Sequence, residues 1–430
     1  MQTIIAENPN RGRLLVVSFF LGSMFFFSTM ASQRETLDAI TGFVAPIFYG
    51  LQANRRWYFI VLGAVLLLIT SAMSNFGRRV KLPAYWNLYF AYAMYNTFAS
   101  FLQGDPLWGL QSLIYMGCYL TAIHLALIRI QSEASVTYVA RALVLTFLVQ
   151  MLLVGLQYSI NEKGVLHVPT SRFLGTLGNA AHWGVHAAAA AVIGFWVASN
   201  GSASKIWRLL GWSAVIAATG SILWSGTRTG TLALLVGLGF FFNQVSFRRV
   251  IQVGFFTGVL LVLRYVLINF VEVSSGVEER LEVSSFFDLS TRMEVWSNLL
   301  SAFFENFLFG TGRLQLETGS QFVNSENALL YTHNRYGVFS LVLLLSVVVA
   351  SLITCAKIFR EKAPKGTLTH RQLAASLLLT FCIASVATGQ PVLRVPVSVI
   401  PFALAALACS TSIANQGMLP KKFESYGQEN

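Results

Sequence analysis

Runs of about 18 or more apolar residues recur along the whole chain, and they leave few folds open. Residues 14–31, 57–74 and 338–356 contain no charged side chain at all. A soluble domain carries roughly 25% charged residues; this chain has 11%, with 55% hydrophobic residues. Segments this apolar belong in lipid, where no water satisfies the backbone. Only helices and closed barrels then pair every N–H and C=O group. Barrel strands need alternating polarity, which is absent, so the sequence predicts an all-α, polytopic integral membrane protein. Its predicted spans are 13–31, 57–74, 86–103, 108–129, 137–158, 178–199, 207–224, 229–245, 249–270, 328–356, 371–389 and 395–414.

The net charge of +12 is read as a membrane bias, not as a nucleic-acid footprint. Arg78, Arg79 and Lys81, Arg129, Lys205 with Arg208, Arg248 with Arg249, the tract from Lys357 to Arg371, and Lys421 with Lys422 all fall between spans. Twelve spans with both termini inside put every one of these clusters on the inner side. The same count leaves a smaller loop at 159–177, a short turn near 225–228 and a large loop at 271–327 outside. The tail 415–430 is then cytoplasmic, and residues 1–430 form one membrane domain. The first run, after Arg11 and Arg13, is long for a signal core and is read as a retained span. Thr36 to Gln52 is read as a re-entrant or interfacial excursion, which leaves Arg55 and Arg56 as an outer pair. Cys118, Cys355, Cys382 and Cys409 lie in apolar runs without metal or disulfide spacing, as small buried residues do. The aromatic residues, 13% of the chain, are expected mostly to face lipid or the interface.

Polar chemistry is concentrated in one stretch. Glu272, Glu278, Glu279, Glu282, Asp288, Glu294, Glu305, Glu317 and Glu326 are half of the 18 acidic residues of the chain. Three arginines fall on the outer side: Arg172 in SRFLGTLGN, Arg228 in SGTRTG, and Arg292 in STRMEVW, which ends on Trp296. The positive-inside bias makes outer arginines the minority that need a reason. A guanidinium binds phosphate oxygens with a planar fork, and neighbouring Gly, Ser and Thr let backbone approach closely. Three of them suit a diphosphate at the membrane surface; the alternative is snorkelling to lipid headgroups. Arg394, in an outer turn beside Pro391, is a weaker fourth candidate.

Glu326, followed by Asn327, stands where the large loop meets the next span. A partly desolvated carboxylate there suits a general base; the alternative is an acid favoured by a helix N-terminus. Gly337 lies eleven residues on, about three helical turns, so the two are expected to share a face. His333 is either a second proton carrier or a buried polar residue of the bundle. Arg335 and Asn327 are counted as supporting residues. His182 and His186 have i, i+4 spacing, but no Glu follows the first histidine, so neither a metal nor a cofactor is expected.

These motifs together resemble the O-antigen ligase and polymerase superfamily of membrane glycosyltransferases, over roughly residues 165–345. Arg172-Phe-Leu-Gly-Thr-Leu-Gly-Asn is similar to that family's arginine-glycine segment. Ser-Gly-Thr-Arg228-Thr-Gly is similar to its serine-arginine turn. Arg292-Met-Glu-Val-Trp296, with Gly310-Thr-Gly312 beyond it, is similar to its R-x-x-x-W … G-x-G segment. The ligase branch ends its loop with His, then Asn, Ser or Gln, then nine residues and a Gly. Here Glu326-Asn327 and Gly337 occupy that register, so the expected His is a Glu. The pair His333-Asn334 is out of register. The pattern is closer to the polysaccharide repeat-unit polymerases.

The resemblance implies an undecaprenyl-diphosphate-linked oligosaccharide substrate at the outer face of a bacterial inner membrane, with membrane lipids as surroundings. It implies transfer of a growing glycan from its lipid diphosphate onto a new lipid-linked repeat, with Glu326 as base and Arg172, Arg228 and Arg292 on the diphosphate. A chain-length regulator and a flippase of the same pathway are the expected protein partners, and no nucleic acid is. Two alternatives stay open: a ligase moving a finished glycan to lipid A core, and a transporter. A transporter would place its polar groups near the midplane on broken helices. Cysteines introduced at Ser320 and Gly366 test the sidedness. Ser320→Cys should react with an impermeant maleimide on intact spheroplasts, and Gly366→Cys only after the membrane is opened. Labelling of both from one side would overturn the loop assignment.

Overall fold

The computed structural model describes residues 11–31, 55–72, 81–103, 106–160, 180–200, 203–242, 307–310, 316–318, 321–323, 328–361, 368–387 and 396–416, with Ser297 and Phe304 as isolated positions. In chain order its helices are α1 (Arg11–Ala31), α2 (Arg55–Ala72), α3 (Ala84–Gln103), α4 (Pro106–Arg129), α5 (Glu133–Ile160), α6 (Ala180–Ser199), α7 (Lys205–Ser225) and α8 (Arg228–Phe242), followed by α9 (Ala328–Tyr336), α10 (Val338–Arg360), α11 (His370–Ala387) and α12 (Pro396–Gln416). A two-stranded antiparallel ribbon, β1 (Leu316–Thr318) and β2 (Gln321–Val323), pairs Leu316 with Val323. Four of the described helical stretches, Glu133–Val154, Ala181–Ser199, Lys205–Ser225 and Val338–Arg360, are individually long and apolar enough to cross a membrane. Five shorter apolar stretches, in α1, α2, α4, α8 and α12, accompany them. Large apolar side chains such as Phe19, Leu68, Leu152 and Val342 point outward, as a lipid-facing surface requires. The protein is an all-helical polytopic membrane protein. The predicted span 249–270 and the excursion at 32–54 lie outside the described residues.

The bundle is built around α6. Every residue from Trp183 to Ala198 is buried, including five consecutive alanines from Ala187 to Ala191. Lipid offers no hydrophobic drive for helix association, so close contact must supply it, and small residues allow that contact. Where α6 crosses α7, a β-carbon on Gly211 would lie 2.6 Å from the Gly194 carbonyl oxygen and 2.8 Å from the Ala198 nitrogen. The two backbones touch there. α6 also packs on α5, α8 and α11, and α11 in turn carries α10 and α12.

Contacts between neighbours fix which ends lie together. Trp196 Nε1 near the end of α6 donates to the Thr369 carbonyl just before α11, at 3.2 Å. Arg371 pairs with Glu361, across the α10–α11 connection, at 2.7 Å. Arg141 of α5 stacks over Trp207 of α7 at 4.9 Å. One end of the bundle therefore carries Lys205, Arg208, Lys357, Arg360 and Arg371. Antiparallel contacts define the opposite end. The Thr380 hydroxyl reaches the Ala233 carbonyl at 3.5 Å, and Cys355 Sγ the Ala375 carbonyl at 3.5 Å. These contacts place the start of α6, the α7–α8 turn, the end of α11 and the start of α10 together, away from the basic end.

Two expectations are corrected. The span 328–356 is not one helix: it breaks at Gly337, whose φ is +82°, into the nine-residue α9 and the long α10. A helical face shared by Glu326 and Gly337 is excluded for the same reason, since Gly337 is outside the helix. Among the described residues the aromatics are not mainly lipid-facing either. Tyr85, Trp86, Tyr89, Tyr92, Tyr119, Trp183 and Trp196 are all fully buried. Four of these lie at i, i+3 and i+4 spacings on α3, one face of that helix.

The α6–α7 contact yields a test with an internal control. Gly211→Ala should destabilise by about 1–3 kcal/mol through overpacking. Gly220, on the same helix, has nothing within 4 Å of a built β-carbon. Gly220→Ala should be neutral, or stabilising by up to about 1 kcal/mol. Thermal unfolding of the two purified variants followed by size exclusion checks this, and equal melting would refute the close crossing.

Candidate functional site

Two corners stand at the end of the bundle away from the basic cluster. The first is the α7–α8 turn. α7 ends at Ser225, Gly226 follows with φ +60°, and Arg228 opens α8. The turn is stitched by its own hydroxyls. Ser225 Oγ donates to the Ile222 carbonyl at 2.7 Å and shares a 2.6 Å hydrogen bond with Thr227 Oγ1. It presses on the first turns of α6: a β-carbon on Gly230 would lie 2.7 Å from the Gly184 α-carbon, and one on Gly184 would meet the Thr227 side chain. The Gly and Thr of SGTRTG thus serve a close backbone contact, with Arg228 partly buried beside it. α6 is the helix into which the Arg172 segment leads. One helical turn in from this corner His186 shares a 2.9 Å hydrogen bond with Gln150 of α5, packed against Phe147 and Trp183.

The second corner is α9. Nine residues at about 1.5 Å each span less than half of a hydrocarbon core of about 30 Å. Yet its six residues from Tyr331 to Tyr336 are all buried, and most are polar. α3 holds one side: Tyr92 and Thr332 hydroxyls lie 3.2 Å apart, the Tyr95 hydroxyl donates to the Tyr336 carbonyl at 3.5 Å, and Ser340 donates to Asn96 Oδ1. The segment Phe307–Gly310 holds the other. Val338 N–H, freed by the helix break, donates to the Phe307 carbonyl at 2.9 Å. A β-carbon on Gly310, at φ +70°, would lie 2.5 Å from the Arg335 carbonyl carbon. One on Gly337 would meet the Leu308 carbonyl and lie 2.6 Å from the Phe309 nitrogen. The G-x-G glycine and the glycine that follows α9 therefore interlock, backbone on backbone, each in a conformation that side chains disfavour.

Inside this clasp His333 is 1% exposed, its ring 5.8 Å from that of Phe307. Arg335 Nη1 donates to the Tyr331 hydroxyl at 2.6 Å. Its guanidinium lies 5.1 Å over the Tyr336 ring and 5.9 Å over the Tyr331 ring.

Of the site residues predicted from sequence, Arg228, His333 and Arg335 are described, and all three belong to this end of the bundle. Arg172, Arg292, Trp296, Glu326, Asn327 and Arg394 lie outside the described residues. The helix start expected after Asn327 is present at Ala328. Residues 213–345 match the O-antigen ligase family model. That segment is similar to the O-antigen ligase and polymerase superfamily. It takes in the second half of α7, α8, the ribbon, α9 and the first turns of α10, and so both corners. It contains Arg228, Arg292, Glu326, His333 and Arg335 but neither Arg172 nor Arg394. No curated protein matches the chain.

Sequence reasoning missed the α3 side of the O-antigen ligase segment. Tyr92, Tyr95 and Asn96 precede α9 by more than 200 residues, yet they clamp it and the start of α10. Their signal was a helical stripe of hydroxyl-bearing aromatics, which a lipid-facing assignment hid. Gly337→Ala should cost about 1–3 kcal/mol from backbone strain alone, before the clash with Leu308 is counted. Gly239 in α8 has open space, so Gly239→Ala should melt as the unchanged protein does. Hydrogen exchange of the 307–310 and 331–338 amides should rise together in Gly337→Ala; independent exchange of the two segments would refute the interlock.

Proposed function

We propose that the chain is an inverting glycosyltransferase that polymerises undecaprenyl-diphosphate-linked oligosaccharide repeat units into O-antigen, capsule or exopolysaccharide. The observation that carries this reading is the Glu at position 326, in the register where ligases place His, two residues before α9 begins. The match of residues 213–345 supports the reaction class. By the charge bias the basic end faces the cytoplasm, so α9 and the Arg228 turn face the periplasm of the inner membrane.

In this mechanism Arg228, with Arg172 and Arg292, holds the donor's lipid diphosphate. The forked N–H groups of each guanidinium match its oxygens and stabilise the charge that grows as it departs. The acceptor is a sugar hydroxyl of a new lipid-linked repeat. Glu326 removes its proton while the hydroxyl oxygen bonds to the donor's anomeric carbon. The bond from that carbon to the diphosphate oxygen breaks, and the lipid diphosphate leaves with the electron pair. A single displacement inverts the anomeric centre. The positive end of the α9 dipole and the arginines of the site keep Glu326 ionised. No nucleotide sugar is consumed, because the lipid diphosphate is the leaving group.

A second reading is favoured by the family's own description: an O-antigen ligase that transfers the finished glycan to lipid A core. One strain decides between them. Deletion of the gene should leave single capped repeats on the cell surface, the phenotype of a lost polymerase. Loss of all capping with long lipid-linked chains retained would establish the ligase instead. In the complemented strain Glu326→Gln should abolish polymer while membrane insertion is kept, and His333→Ala should reduce it far less. Arg228→Lys, which keeps charge but loses the fork, should lose most activity, a transition-state effect of ~2.7–4 kcal/mol. Long chains from Glu326→Gln beside none from His333→Ala would move the base to His333.

A further inference from the structure

One stripe of α5 faces the lipid. Leu145, Val149 and Leu152 on it are 42%, 45% and 63% exposed. Arg141 continues that stripe one turn nearer the basic end, at the i−4 position from Leu145. Counted from Glu133 it is eight residues into the helix, roughly 12 Å along its axis. A charge in a span is costly and usually turns inward to a partner. Arg141 does not. Among the described residues it makes no ion pair and no side-chain hydrogen bond. Its described neighbours are neutral: the Trp207 ring of α7, 4.9 Å from the guanidinium, and the phenol of Tyr138, one turn back. Helical side chains lean toward the helix N-terminus, which for α5 is the basic end, so the group reaches toward the headgroups.

The first turns of α7 supply the other side of this surface. Lys205 and Arg208 are exposed there, beside Ile206 and Leu209, which are 69% and 67% exposed. Charged and apolar side chains alternate at that level, as they do where headgroups meet acyl chains. Stacking on Trp207 occupies the face of the guanidinium and leaves its in-plane N–H donors for an oxygen acceptor. At headgroup depth the acceptor matched to that fork is a phosphate. Lys205 also has no described ion pair, and with Arg208 it raises the positive potential around the stack. That charge favours a headgroup with net negative charge over a zwitterionic one. We infer that this α5–α7 surface binds one anionic phospholipid of the cytoplasmic leaflet, with Arg141 on its phosphate and its acyl chains along Leu145, Val149 and Leu152. The lipid ties α5 to α7 at the end of the bundle away from the Arg228 and α9 corners. Its binding is independent of the reaction catalysed there.

The test reconstitutes the full-length protein in phosphatidylcholine nanodiscs with and without phosphatidylglycerol. Retained lipids are counted by native mass spectrometry, and unfolding is followed on heating. The wild-type protein should retain one phosphatidylglycerol more tightly than any phosphatidylcholine, and melt higher with it. Arg141→Met keeps an apolar stem in the lipid without the charge. It should weaken that retention about fivefold or more and cancel the thermal gain. Lys357→Gln removes a cation of the same end on α10 and should leave the retention unchanged. Should Arg141→Met fail to fold, Trp207→Leu decides, because it removes the ring that orients the guanidinium and should weaken the same lipid. Retention unchanged in Arg141→Met, or in Trp207→Leu in its place, overturns the inference. An equal loss in Lys357→Gln reduces the effect to diffuse surface charge and overturns it too, as does equal retention of phosphatidylcholine. Thermal protection by inorganic phosphate in plain phosphatidylcholine discs, lost in Arg141→Met, makes the ligand a soluble phosphate and overturns the lipid assignment.

Discussion

The peptide group sets the terms of this fold. In hydrocarbon an unpaired N–H or C=O costs several kcal/mol, so each long segment closes its own bonds as a helix. A break is tolerable only where protein supplies the missing partner. The break at Gly337 is such a case. Val338 N–H finds the Phe307 carbonyl, and Gly337 N–H still reaches the His333 carbonyl at 2.7 Å. The chain that donates this partner comes from the far side of a long polar stretch. Its close approach is possible because Gly310 and Gly337 both lack a side chain at the contact. The position of α9, and of the polar residues on it, depends on this one backbone-to-backbone seam.

The same logic governs how the helices meet. Shape, not polarity, selects neighbours in lipid. Gly194 against Gly211 and Gly184 against Gly230 bring backbones into contact at two depths of α6. The second of these contacts fixes the Arg228 turn at the entrance of α6. Buried polar pairs that join different helices are specific; three of those described are Gln150 with His186, Asn96 with Ser340, and Tyr92 with Thr332. Two of the three hold α9 and the start of α10 against α3. Polar side chains in the bundle thus serve mainly to aim the one element that is too short to span.

Much of this was legible in the sequence. Ten of the twelve predicted spans coincide with single described helices, because charge-free runs and basic loops are local signals; 328–356 is split, and 249–270 lies outside the described residues. The Arg228 turn was legible because glycine and hydroxyl residues between two apolar runs have few other uses. The break at Gly337 was not. Residues 338–356 follow the glycine without a charge or a proline, so nothing in the sequence beyond it marks a stop. What stops the helix is the Phe307–Gly310 segment, brought there by tertiary structure. The clamp from α3 was hidden for a related reason. A stripe of Tyr and Trp on one face reads equally as an interfacial belt or as a seam against another helix, and only the neighbour decides.

A short buried helix with a polar interior is an expensive object in a membrane, and its cost argues for its use. Ordinary packing would place apolar residues where α9 carries Thr332, His333, Asn334 and Arg335, all buried. Six hydrogen-bonding side chains in a row, counting Tyr331 and Tyr336, need partners that a bundle of plain spans does not have. α3 supplies one, the Tyr92 hydroxyl to Thr332, and the Tyr331 hydroxyl supplies another to Arg335. Splitting the predicted span in two thus leaves a helix of less than half a bilayer's length, seated by α3 on one side and by the Phe307–Gly310 segment on the other.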